Sequence, residues 1–236
     1  MQAIILAGGQ GRRLLPYTAV LPKPLMPIGD VPILEVVVRQ LKRAGFMDIT
    51  MAVGYLAELL MAYFGDGQKL GVQIRYSREE TPLGTAGPLG LIERPSEPFL
   101  VMNGDLLTTL DYRVLWMRHC ERGAIATLAT FGRDVKIDLG VIESDADGLV
   151  TGYIEKPTYH YSVSTGIYIF QPGVLDYVPA GVRLDLPDLV RALLAAGRQV
   201  ATYPFEGIWL DIGRWEDYER AAQEFDRHKA EFVPEE

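Results

Sequence analysis

Leu6-Ala7-Gly8-Gly9-Gln10-Gly11-Arg12-Arg13-Leu14 follows directly on a short apolar run, Gln2–Ala7, and the two read together decide the fold. An apolar run of that length ending in glycines is a buried parallel strand by type. Glycines placed just beyond such a strand remove side chains, so that backbone N–H groups can close around phosphate oxygens. An isolated glycine cluster is more often a plain strand-to-helix turn, and two familiar motifs fail. Gly9 and Gly11 begin a dinucleotide fingerprint, but Leu14 stands where its last glycine belongs, which weakens a nicotinamide-dependent oxidoreductase. No Gly-Lys-Ser/Thr occurs, so there is no P-loop. The company of the glycines is what points to phosphate. Arg13 brings a guanidinium fork, and Pro22-Lys23-Pro24-Leu25 holds a compact ammonium between two prolines. Up to Asp30 the charges are Arg12, Arg13, Lys23 and Asp30, a basic opening to an acidic chain.

Outward from this loop the first half alternates strand and helix patterns. Leu34, Val37, Val38 and Leu41 fall at helical spacing ahead of Gly45, and Asp48–Val53 reads as the next strand. A helix over 56–64, a strand over 72–77, a short helix over 87–92 and a buried strand over Phe99–Asn103 follow. This order predicts a parallel sheet with helices on both faces. The second half is richer in strands, at 124–131, 139–143, 149–155 and 163–170, with Asp147-Gly148 as a tight hairpin turn. Two helices, 186–196 and from 215 to about 228, close the pattern. With no repeat, low-complexity stretch or linker, residues 1–236 read as one α/β domain with a mixed sheet. In the last helix, Trp215, Tyr218 and Phe225 are better taken as core than as a dimer interface, and a homo-oligomer is left open.

The net charge of −8 argues against a general nucleic-acid footprint. No apolar run is long enough to span a bilayer, and the N-terminal stretch is broken at once by Gly8, Gly9 and Arg12, so a cytoplasmic protein is expected. Cys120 is the only cysteine and His119, His160 and His228 are scattered, so any bound metal would take oxygen ligands. Asp105 follows the apolar strand Phe99–Asn103 through Gly104, where a carboxylate faces the crevice beyond the strand ends. Asp211 lies in Trp209-Leu210-Asp211-Ile212-Gly213. Either alone is more often a turn or capping residue.

The run from Leu6 to Leu25, continued by Gly104-Asp105, Glu155-Lys156-Pro157 and Asp211-Ile212-Gly213, resembles the sugar-phosphate nucleotidyltransferase family over almost the whole chain. The resemblance implies a Rossmann-like, three-layer α/β/α domain with a mainly parallel mixed sheet and a sugar-binding insertion. It also implies a nucleoside triphosphate and a sugar 1-phosphate as substrates, a magnesium ion and no covalent intermediate. By it, Asp105 and Asp211 are the magnesium ligands, and Arg13 and Lys23 act on the triphosphate and the departing pyrophosphate. The nucleotide site would comprise Leu6, Ala7, Gly8, Gly9, Gly11, Arg12, Arg13, Lys23, Glu79, Gly84, Thr85, Asn103 and Gly104. Lys156 would grip the sugar's phosphate and Glu155 its hydroxyls, with Gly140, Ser164 and Thr165 beside them. Leu139 and Ser164 depart from the family's usual aromatic and asparagine, which loosens the sugar's identity. Since family members often carry a C-terminal β-helix, a chain stopping soon after Phe225 is expected to lack that domain.

Glu79-Glu80-Thr81-Pro82-Leu83-Gly84-Thr85-Ala86-Gly87 occupies the family's base-recognition loop. Where many thymidylyl- and uridylyltransferases have glutamine, Glu79 stands. An ionised carboxylate only accepts hydrogen bonds, which suits the adjacent N1–H and N2–H₂ donors of guanine better than a pyrimidine imide. A mismatched buried polar group costs about 1–3 kcal/mol, enough to discriminate bases. The run also resembles mannose-1-phosphate and related bacterial guanylyltransferases, so GTP and mannose 1-phosphate are the expected pair. Thymidylyl or uridylyl transfer to glucose 1-phosphate or an amino-sugar 1-phosphate is the alternative. A non-catalytic regulatory subunit that binds nucleotide sugars is the rival of another class.

Overall fold

The computed structural model describes residues 1–233. The first half runs β1 Gln2–Ala7, the small hairpin β2 Pro27–Ile28 and β3 Val31–Pro32, α1 Ile33–Arg43, β4 Asp48–Val53, α2 Ala57–Phe64, β5 Gln73–Arg78, β6 Phe99–Asn103, β7 Leu106–Thr108 and α3 Tyr112–Arg122. The second runs β8 Ala126–Lys136, β9 Val141–Ser144, β10 Val150–Ile154, β11 Thr158–Phe170, α4 Leu186–Ala195, β12 Val200–Pro204, β13 Trp209–Asp211, α5 Trp215–Arg227 and α6 Lys229–Phe232.

Seven strands form one sheet in the order β12-β8-β11-β6-β1-β4-β5. All run parallel except β11, which is antiparallel to both neighbours, giving the expected mixed, mainly parallel, Rossmann-like α/β fold. The period-two alternation of β1 divides the core. Ala3, Ile5 and Ala7 face a layer built on α1, α2 and α3, whereas Ile4 faces one built on α4 and residues 86–89. A third cluster joins α5 and α6 to Leu14, Met26 and Ile28. Ala3, Ile4 and Ile5 are fully buried, as a strand covered on both faces requires.

Most expected elements are present, with instructive differences. The helix α3 and the strands β7, β12 and β13 have no counterpart in the sequence reading. β11 starts at Thr158 and pairs with β8 as far as Lys136, so the two strands continue beyond the sheet as an arm. The β9–β10 ribbon lies within the connection between them, and Ile137 N–H donates to Pro157 C=O at 3.0 Å. The connection at Asp147-Gly148 is longer than a two-residue turn. Asp145 accepts from the N–H groups of Asp147 and Leu149, and Gly148 takes the positive φ of 82°. Among the described residues, no helix is long and apolar enough to cross a membrane.

Candidate active site

Because β1, β4, β5 and β6 are parallel, their carboxyl ends share one edge, and a cleft of about 1140 Å³ opens there. Every residue assigned to the nucleotide lines it except Gly104. Gly104 lies beneath, its N–H donating to Leu6 C=O at 2.9 Å. It begins the two-residue turn between β6 and β7, and a Cβ on it would sit 3.1 Å from Ile5 Cγ2, so the turn also packs closely over β1. In the loop itself Gly11 adopts φ 61°, and its carbonyl accepts from the Thr18 hydroxyl at 2.9 Å. Gly8 faces Glu79: a Cβ there would lie 2.5 Å from Glu79 Oε1.

Lys23, in a 3-10 turn between its prolines, is 7 % exposed and paired with Asp105. A buried ammonium demands such a partner. Asp211 arrives by a different route. β13 pairs with β7, setting Asp211 opposite Leu106, and Ile212 N–H reaches the Asp105 carbonyl at 3.4 Å. Although Asp211 keeps solvent contact, surrounding protein raises its pKa, Asp105 raises it further, and Lys23 and Arg13 pull it down. Arg13 also reaches Gly213, whose Cβ position lies 3.4 Å from Nη1. The four charged residues singled out in the sequence therefore converge, although Asp211 is not among the residues lining the cleft. Two carboxylates whose repulsion favours a proton on one of them suit a divalent cation. Magnesium takes one or two carboxylates and keeps waters and substrate phosphates in its shell, so Asp105 and Asp211 are a donor set it could use.

The loop expected to meet the base is closed from within. Glu79 Oε2 accepts from Leu83 N–H at 2.9 Å, while Oε1 lies against Gly8 and Gly54. Glu79 thus shapes the loop as well as facing the cleft.

The residues expected to hold the sugar phosphate do not line the cleft. Gly140, Glu155 and Lys156 sit on the exposed arm. The Tyr153 hydroxyl lies against Gly140 and donates to Glu155 Oε2 at 3.1 Å. Lys156 has φ 45° and stands 3.7 Å from Glu155. Ser164 and Thr165 occupy an irregularity in β11, where Gly166 packs on Asn103. Ser164 Oγ is 3.0 Å from the Tyr168 hydroxyl. Thr165 is 1 % exposed, with its hydroxyl donating to Ala129 C=O at 2.9 Å, so its side chain is a strut rather than a free contact.

Gly54, Tyr55 and Arg78 also line the cleft and were not anticipated. The signal was available for Gly54, which follows β4 as Gly8 follows β1, at the same sheet edge.

A nucleotidyl transferase family model matches residues 2–228. A UTP–glucose-1-phosphate uridylyltransferase from Synechocystis is 38% identical over 94% of this chain and 62% of its own length. A mannose-1-phosphate guanylyltransferase catalytic subunit beta from Drosophila melanogaster is 34% identical over 92% of this chain and 60% of its own. The chain thus spans about three fifths of the length of these relatives. A solved structure from Bacillus anthracis, designated a glucose-1-phosphate thymidylyltransferase, superposes with a TM-score of 0.78 at 28% identity, covering 94% of both chains. With its glycine-rich loop, its converging charges and this match along nearly all its length, the chain belongs to the nucleotidyl transferase family.

Proposed function

We propose that this chain transfers a nucleoside monophosphate from a nucleoside triphosphate to a sugar 1-phosphate, releasing pyrophosphate without a covalent intermediate. The observation that carries the reading is the convergence of Arg13, Lys23, Asp105 and Asp211 beside the glycine-rich loop. The sugar phosphate oxygen is already charged and needs no strong base to attack the α-phosphorus in line. The barrier is repulsion between anions and charge building on the leaving group, so positioned cations suffice. Arg13 and Lys23 hold the triphosphate and take up charge on the departing pyrophosphate. Magnesium, held by Asp105 and Asp211, would supply divalent charge against the phosphate oxygens. Lys156 and Glu155, on the arm, take the sugar's phosphate and hydroxyls.

For the donor we propose GTP and for the acceptor mannose 1-phosphate, resting on Glu79 as an acceptor-only group at the base loop. Two observations favour uridylyl transfer to glucose 1-phosphate instead. One Glu79 oxygen is engaged by Leu83, and the Synechocystis relative is named for UTP and glucose 1-phosphate. A matrix of four nucleoside triphosphates against several hexose 1-phosphates, followed by pyrophosphate release, tests both. The GTP reading expects the highest kcat/KM with GTP and mannose 1-phosphate. It also expects Glu79→Gln to lose GTP use while gaining use of UTP or dTTP. An unchanged base preference in that variant removes the argument from Glu79. Nucleotide binding with no pyrophosphate from any pair would mark a regulatory protein rather than an enzyme.

A further inference from the structure

Residues 83–87, at the base end of the cleft, are bound to residues 184–186 at the start of α4, about a hundred positions away. The Ala86 and Gly87 N–H groups both donate to Leu184 C=O, at 2.8 and 3.0 Å, and Leu184 N–H donates to Leu83 C=O at 2.9 Å. Asp185 completes the tie. Its Oδ1 accepts from Thr85 N–H at 3.0 Å and from the Thr85 hydroxyl at 3.4 Å. The same hydroxyl accepts from Leu186 N–H at 2.8 Å, in the first turn of α4. Gly84 adopts φ 80°, and a Cβ on it would sit 2.6 Å from both Asp185 Oδ1 and Leu184 C=O. The turn is therefore pressed onto α4 with no room for a side chain. Gly84 and Thr85 line the cleft, and the Thr85 hydroxyl is already engaged behind it. What this turn offers a ligand is its backbone, at a height that Asp185 sets.

We infer that Asp185 is a positioning residue for the donor nucleotide: it fixes the Gly84–Thr85 turn against α4 and so governs nucleotide affinity without touching the reacting phosphates. This rests on the proposed nucleotidyl transfer and on Gly84 and Thr85 lying at the base. A turn that must be ordered at binding charges its ordering cost to the nucleotide, whereas a turn held in advance does not. The effect should therefore fall on the donor alone. Asp185→Asn keeps a neutral oxygen acceptor for Thr85 and should lose less nucleotide affinity than Asp185→Ala.

The test measures nucleotide binding by calorimetry without sugar phosphate, together with steady-state KM for each substrate and kcat. Asp185→Ala should raise the Kd and KM for the preferred nucleoside triphosphate about tenfold, the loss expected of a charged hydrogen bond. The sugar-phosphate KM and kcat should change less than about twofold, because groups at the phosphates are untouched. If that variant does not fold, Asp185→Ser serves, since serine suits a helix start but is too short to hold Thr85. A folded Asp185→Ala or Asp185→Ser with wild-type nucleotide affinity overturns the inference, as does equal loss in both KM values. Wild-type protein that binds no nucleoside triphosphate overturns instead the reading on which it rests.

Discussion

Asp105 is gripped by Lys23 on one side and faces the charge of Asp211 on the other, so the two aspartates differ in what their removal should do. Both Asp105→Asn and Asp211→Asn are expected to lose turnover by at least about a hundredfold in pyrophosphate release, with the circular dichroism of folded protein. Their stabilities should diverge. The folded-state pKa of Asp211 lies above its ordinary value of 3.8, so between those two points the native chain holds a proton that the unfolded chain has released. Stability therefore falls as pH rises through that window, and the deficit persists at neutral pH. Asp211→Asn should melt above wild type at pH 7 when metal is absent, and the gap should close as pH falls toward 3.8. The gap will be small, because Asp211 keeps solvent contact and its field is screened. Asp105→Asn should show no such gain, since it deprives a buried lysine of its anion. Residue chemistry of this kind was legible for the charged groups because charge in an apolar context is conspicuous. The hold of Glu79 on Leu83 was not, because which amide meets a carboxylate depends on the path of the loop.

At the scale of elements, the sequence shows β1, β4 and β6 plainly because each is a short, mostly apolar run buried on both faces. It hides α3 for a physical reason. Tyr112, Leu115 and His119 form the buried stripe, but Val114 and Met117 are 37 % and 49 % exposed and blur the pattern. The punctuation was present: Asp111 precedes the helix and Gly123 follows it at φ 64°. Asp111 Oδ1 accepts from the N–H groups of Arg113 and Val114, at 2.9 and 3.0 Å. Asp111→Ala should cost about 1 kcal/mol in urea unfolding, with initial rates at saturating substrates unchanged. The early start of β11 was hidden differently. Thr158 to Ser162 carries polar and aromatic side chains with no apolar face, and only pairing with β8 makes it a strand. Gly140, Glu155 and Lys156, expected to meet the sugar phosphate, are harder to read for the same reason, since they sit on an exposed arm that no core pattern announces.

Across the whole molecule, the C-terminal helices hold up the N-terminal loop. Phe225 is fully buried, as expected of a core residue, whereas Trp215 stays 37 % exposed and stacks on Tyr17 at 4.8 Å. The Phe225 ring seats on Gly29, which takes φ 61°, and shares a cluster with Leu14, next to Arg13. Phe225→Ala should lower the unfolding free energy by about 3–5 kcal/mol. It should also weaken nucleotide binding in calorimetry, because the loop loses its floor; an unchanged affinity would separate the loop from this cluster. The strand order has a consequence for how the chain is made. β8 leaves the ribosome before β11, yet β11 lies between β8 and β6. Until residue 170 has been synthesised, β6 has no neighbour on that side, and its amides and apolar side chains are open to any stray strand. The nascent chain thus leaves this edge of β6 open to misassembly from residue 103 to residue 170, and the arrival of β11, the one antiparallel strand of the seven-stranded sheet, ends that window.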